Sequence, residues 1–168
     1  NTVDGTDNKV FGKNNIASGK NNIINGDNTT SNGRDNEVSG NNSVAYGNEN
    51  IVKGDKNTAI GKSNDVMGNN SYASGNGNAV SGEKAIGSGI ENKVTGENAL
   101  AFGKGNTAKK ENGIAVGRDN KVESIDGTAV GNDNKVTGEN SSAFGKGNIA
   151  KGNSSAAFGH DNITSGDN

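Results

Sequence analysis

The chain has 168 residues, with 17 Lys and Arg against 19 Asp and Glu, a formal net charge of −2, no Pro and no Cys. Near-balanced charge argues against a nucleic-acid surface, the lack of Cys excludes disulfides and thiolate metal sites, and no run approaches the roughly 18 apolar residues of a membrane span. With 27% hydrophobic and 4% aromatic residues the composition alone is that of a disordered chain, so any order must come from a regular pattern.

That pattern begins at Gly5 and recurs every seven residues through Gly12, Gly19 and Gly26 to Gly166. Glycine fills 22 of the 24 positions, Lys110 and Ser124 being the exceptions; the position two before is Val, Ala or Ile in 21 of 24, and the position four before is Asn in 15 of 24. A coiled coil is excluded because nearly every heptad carries a glycine, each costing about 1 kcal/mol in a helix. Collagen needs Gly every third residue and abundant Pro. The remaining reading is a strand of four or five residues, a turn at Gly-x-x, and another strand, repeated along the chain.

In chain order, residues 1–42 keep the glycine ladder but place polar residues, such as Thr2, Asp4, Thr30 and Asn32, beside the Val/Ala position. These coils are expected to be looser than residues 43–168, the two parts forming one continuous solenoid. From Val44 onward alternate heptads differ. One set, running from Val44 and Tyr46 to Ala156 and Phe158, has no charged residue among its 18 flanking positions, and the other has eight. Gly87 takes an interior position and is expected to pinch or shift its coil. Around Lys110 and Ser124 glycine returns three residues late, at Gly113 and Gly127, predicting altered turns that stand out from the surface.

Because side chains alternate across a strand, the Val/Ala position faces a thin interior from both strands. The unit is therefore a fourteen-residue coil of a parallel β-roll, an all-β solenoid of twelve coils, roughly 55–60 Å long at about 4.8 Å per coil. The outer face of the second strand is wet. That of the first carries an apolar stripe, which marks an interaction surface; since it follows the repeat, the expected partner is another copy of the chain.

Asn57-Thr58-Ala59-Ile60-Gly61, Asn98-Ala99-Leu100-Ala101-Phe102-Gly103 and Ser142-Ala143-Phe144-Gly145 resemble the N-S-V-A-I-G repeat of YadA-like head domains, and Asn134-Lys135-Val136-Thr137-Gly138 resembles its companion half. The resemblance covers residues 43–166 well and the first 42 loosely. It implies a left-handed parallel β-roll, a homotrimer, and display on the outer membrane of a Gram-negative bacterium through regions absent from this chain. The trimer interface would then comprise Tyr46, Ile60, Leu100, Phe102, Ile114, Val116, Val130, Phe144 and Phe158. No signal peptide is visible, and the chain reads as a segment of a longer protein.

Nothing in the sequence assembles a catalytic centre. His160, the single histidine, follows a ladder glycine in a turn and is expected to be solvated. Asp-Asn pairs after the glycine, as at Asp119-Asn120, could stack carboxylates for calcium, but the corners vary among Asp, Asn, Glu and Lys. Asx bonds to the turn backbone account for them better. No metal or cofactor is expected. The candidate binding residues are Lys93, Lys121 and Lys135 on the wet strand, with Lys109, Lys110, Glu111, Glu123, Ile125 and Asp126 at the altered turns. The wet-face lysines could attract an acidic glycan or a matrix protein. The function expected is an adhesin head attaching to a host cell-surface receptor or extracellular-matrix protein, with a passive spacer as the alternative. An ice-binding solenoid would need a flat Thr array, whereas Thr58, Thr95, Thr107, Thr128 and Thr137 are divided between faces.

Overall fold

The structure, a computed structural model, describes residues 1–167. Twenty-four strands form two twelve-stranded parallel sheets, with no helix among the described residues. Five-residue strands, from Thr2–Thr6 to Ala156–His160, make one sheet; shorter strands of two or three residues, from Lys9–Phe11 to Ile163–Thr164, make the other. Every strand pairs with the equivalent strand fourteen residues away, so that Gly89, Gly103 and Gly117 stand in register. The chain is thus a solenoid of twelve coils.

Between the sheets lie mostly small residues, with Ile24 the largest. Ala101, Ala115 and Ala129 of the long strands and Val94, Val122 and Val136 of the short ones are fully buried. So slight an interior yields little hydrophobic stabilisation per coil, and the corner after each long strand supplies a second source. There Asn stands at all twelve positions from Asn8 to Asn162, spaced by fourteen. Asn106 is representative: its Nδ2 donates to Asn92 Oδ1 at 3.1 Å, Phe102 O at 2.8 Å and Gly117 O at 2.8 Å. Its Oδ1 accepts from the backbone N–H and the Nδ2 of Asn120 at 3.1 and 3.0 Å. The amide ladder satisfies the corner carbonyls that a buried turn would otherwise orphan. At the opposite corner the stacked residues are Ser, Thr, Asn or smaller, and Ser71 Oγ donates to Gly82 O at 2.7 Å.

The glycine ladder serves two different needs. After a long strand the glycine is left-handed, as at Gly103 with φ 114°, and a Cβ there would collide with the carbonyl oxygen of Gly117. After a short strand from Gly68 onward the glycines, Gly96 among them, do not have positive φ. Both substituted positions, Lys110 and Ser124, fall in this second group, where φ does not exclude an L-residue, although a Cβ at Gly96 would still meet the carbonyl oxygen of Lys110.

The expected altered turns are accordingly corrected. Gly113 N–H donates to Lys110 O at 3.1 Å, the same turn that Ala99 makes with Gly96 O at 3.4 Å. The bonds between coils continue through both turns, from Asn112 N to Glu97 O at 3.0 Å and from Asp126 N to Glu111 O at 3.1 Å. Ser124 is buried rather than prominent, and its hydroxyl occupies space that a Cβ on Gly127 would need. Gly87 causes no register shift, since Ala73, Gly87 and Ala101 remain paired in sequence. A Cβ at Gly87 would lie 2.7 Å from Val80 Cγ2, so the valine fills the missing methyl's place. Nor does pairing loosen at residue 42: Thr30 to Arg34 pairs in full with Val44 to Asn48. The first coils differ from later ones in the polarity of the outer face.

Three substitutions test these roles. Asn106→Ala strips donors and acceptors from a buried column and should cost about 3 kcal/mol in denaturant unfolding. Gly103→Ala should be at least as damaging. Gly77→Ala, where the added Cβ meets only Glu91 Cγ at 3.6 Å, should cost about 1 kcal/mol, the penalty of a left-handed L-residue.

Candidate functional site

Alternation along the long strands aims their first and third residues outward. Phe102, Val116, Val130, Phe144 and Phe158 stack in one row by register, and Leu100 and Ile114 stand in the row beside it. The rings of Phe144 and Phe158 are stacked 5.1 Å apart and 5° from parallel. Phe102 remains 41% exposed and Tyr46 44%. Between Ile60 and Phe102 the row is interrupted by Ser74 and Ser88, whose hydroxyls are 2.9 Å apart. At those coils Tyr72 and Ile86 carry the apolar surface two residues away, in the row of Leu100. The stripe is therefore continuous but changes row.

The outer face of the short strands carries the expected charge. Lys93, Lys121 and Lys135 each open a short strand and are exposed, Lys121 and Lys135 on adjacent coils. Glu123 lies between Lys109, with which it forms a short ion pair, and Lys135 Nζ at 3.4 Å. The hydrogen bond from Lys109 holds the Glu123 carboxyl below its ordinary range, partly opposed by burial and helped by Lys135. Lys110, Glu111, Ile125 and Asp126 are exposed but belong to the corner before the long strand, around the coil from the lysine face. The candidate binding residues thus form two separate groups, and in the first Glu123 offsets part of the positive charge.

The remaining candidates have structural roles. Asp119 and Asp133 adopt left-handed corners at φ 56° and 58°, while the Asn following each belongs to the amide ladder, as when Asn120 Nδ2 donates to Val116 O at 2.9 Å. His160 is exposed, with Nδ1 2.9 Å from Asp161 Oδ2. Thr58 and Thr128 open long strands, Thr107 opens a short one, and Thr95 and Thr137 follow short strands, so no single face gathers them.

Sequence reasoning missed Asp65. It opens a short strand beside a shallow groove of about 150 Å³ lined also by Met67, Ser81 and Lys93, and its Oδ1 is buried without a partner. Burial raises its carboxyl above the ordinary range, with Lys53 opposing. The signal was an acid flanked in its row by the apolar Ile51 and Ala79, visible only when each of the fourteen positions is read separately.

The two carboxyls predict opposite pH effects. Because folding raises the Asp65 pKa, its contribution is complete below about pH 4 and is lost as pH rises through the folded value. Asp65→Asn should therefore raise the unfolding midpoint at pH 7 and leave it unchanged at pH 3. Folding lowers the Glu123 pKa, so its contribution holds above about pH 4.5 and is lost as pH falls through the folded value. Glu123→Gln should cost about 0.5–1 kcal/mol at pH 7, the worth of a surface ion pair, and nothing at pH 2.

Comparison with known proteins agrees with this geometry. Residues 1–103 match the family described as grass antifreeze beta roll, and two copies of the YadA head domain repeat match residues 95–120 and 123–148. No curated protein matches. Among solved structures, the crystal structure of the polySia specific acetyltransferase NeuO aligns at 14% identity and a TM-score of 0.15, covering 96% of this chain and 78% of that one; so low a score carries no argument. Both matched families are repeat rolls or heads rather than enzymes. With more than half its length in one match and its later coils in the other, the chain belongs to the grass antifreeze beta roll family and bears YadA-like head repeats.

Proposed function

We propose that the chain is the head segment of a surface adhesin, in which three parallel copies pack through the apolar stripe and present the short-strand faces and turns outward. The observation that carries this reading is the outward row from Phe102 to Phe158, exposed at its ends and half-buried at Val116, Val130 and Phe144, along a rod whose coils include two YadA head repeats. A solvent-facing apolar row of this length is unusual for a monomer, and a second copy offers a surface of matching repeat. The outward faces would then meet a host cell-surface receptor or an extracellular-matrix protein, through many weak contacts summed along the rod. An outer-membrane location follows from the same family resemblance.

The spacer reading has its own support in the uniformity of the coils, whose turns at Lys110 and Ser124 keep the bonds between coils made by Asn112 and Asp126. The matched antifreeze description is weighed against the dispersal of the threonines over two faces, which leaves no flat array for ice.

Sedimentation of the purified protein should give a trimer at micromolar concentration, and Val116→Asp with Phe144→Asp should convert it to a folded monomer. A stable wild-type monomer would sink the assembly. The assembled rod should bind host cells or immobilised matrix proteins; if it binds none while bacteria displaying it adhere, it is a spacer.

A further inference from the structure

Two charged rows border the apolar stripe, one on each side. The last residue of each long strand is never acidic and is basic in six coils, as at Lys62, Lys104 and Lys146. The corner residue three places before a long strand is acidic in six of eleven coils, as at Asp55, Glu97 and Glu139. These positions match coil by coil. Lys62, Lys104 and Lys146 close the strands that Asp55, Glu97 and Glu139 precede, and Arg34 and Arg118 close those preceded by Asp27 and Glu111. Where the strand ends in Asn48, Asn76 or Asn132, the corner is uncharged too, at Asn41, Asn69 and Ile125. The match fails at Ile90 with Glu83, and at Lys20 with Lys13 in the first coils, where the stripe is also polar.

No charge pairing within the chain explains the match, although Asp27 and Asp55 also accept the backbone N–H of Lys13 and Asn41 in the preceding coil, each at 2.7 Å. The two positions lie at opposite ends of a strand about 17 Å long, and all six residues of the first three pairs are exposed. Lys62, Lys104 and Lys146 have no acidic partner within 4 Å among the described residues, and each is followed by a residue without charge: Ser63, Gly105 and Gly147. Arg34 and Arg118 reach Asp35 and Asp119 at 3.3 and 3.7 Å, and Glu97 is reached by Lys84 at 3.8 Å, so those charges are shared.

Cyclic symmetry about an axis parallel to the rod supplies the missing partner. It brings one edge of each sheet to the opposite edge of the next copy, with equal coils at equal height. We propose that the basic strand ends of one copy pair with the acidic corners of the next, level by level, fixing the parallel orientation and axial register that a repetitive apolar stripe leaves free. The proposal rests on the side-by-side assembly above and adds to it the determinant of register.

A charge exchange tests it. One variant carries Lys104→Glu, Arg118→Glu and Lys146→Glu; a second carries Glu97→Lys, Glu111→Lys and Glu139→Lys; a third carries all six. In sedimentation at low salt, each single-set variant should raise the half-dissociation concentration about tenfold or more, since several surface pairs per interface become repulsive. The effect should shrink in 1 M salt, and the six-fold variant should recover to within about threefold of wild type. Should a reversed chain misfold by circular dichroism, Lys104→Gln with Lys146→Gln must still weaken assembly in the same direction. Unchanged dissociation in both single-set variants, or a six-fold variant weaker than either, overturns the register proposal while the assembly stands. A wild-type monomer removes both.

Discussion

The amide column at the corner after the long strands is the constraint on which the solenoid depends. A coil that buries only alanine and valine gains too little from water exclusion to hold its own turns. Each asparagine binds the coil before it through its Nδ2, and through its Oδ1 accepts from the backbone and amide of the coil after it. Such a chain of dipoles is mutually reinforcing in a dry environment. It also sets the repeat length, because an insertion of one residue would put a different side chain into the column and leave buried carbonyls unpaired. The unbroken fourteen-residue register from Thr2 to Thr164 follows from that penalty.

Closeness of approach is the second consequence. Glycine after the long strand lets the backbone turn left-handed directly against the carbonyl of the next coil, which tightens the stack and leaves no room for a larger interior. Apolar bulk that cannot go inward goes outward: Phe102, Phe144 and Phe158 stand on the outer face of the long strands, and Phe11 on that of a short one. The roll hence has its small apolar residues inside and its large ones outside, the reverse of an ordinary domain. That inversion is what supports the proposed side-by-side assembly.

Much of the fold was legible because the period is strict. The alternation of apolar and polar flanks separated the two sheets and identified the inward alanines and valines. The asparagine column was obscured by pooling: fifteen of twenty-four positions conceal twelve of twelve at one corner and three of twelve at the other. The turns at Lys110 and Ser124 were misread for a related reason. A glycine letter does not say whether it is kept for its φ, and from Gly68 onward only the corner after the long strand requires the left-handed backbone. Gly87 was misread because the adjustment lies in the packing of Val80, which no local pattern encodes. For the surface, exposure of the lysine face was readable, but the position of Glu123 between Lys109 and Lys135 depends on two side chains reaching across coils.

A repetitive rod meets a difficulty that an irregular protein does not. Shifting one copy by a single coil, about 4.8 Å, would replace most apolar contacts with equivalent ones, so burial alone discriminates weakly between registers. Polarity or charge that varies from coil to coil breaks this degeneracy, just as charged flanks fix register in other repetitive interfaces. Here the neutral levels at Asn48, Asn76 and Asn132 are as informative as the charged ones, because a one-coil slip would set Lys62 against Asn41 or Asn69 in place of Asp55. A slipped Lys104 would still meet Glu83 or Glu111, but Lys146 would meet Ile125 or Asn153, so the matched register keeps the most charge pairs: the column makes every coil alike, and the rims favour one register.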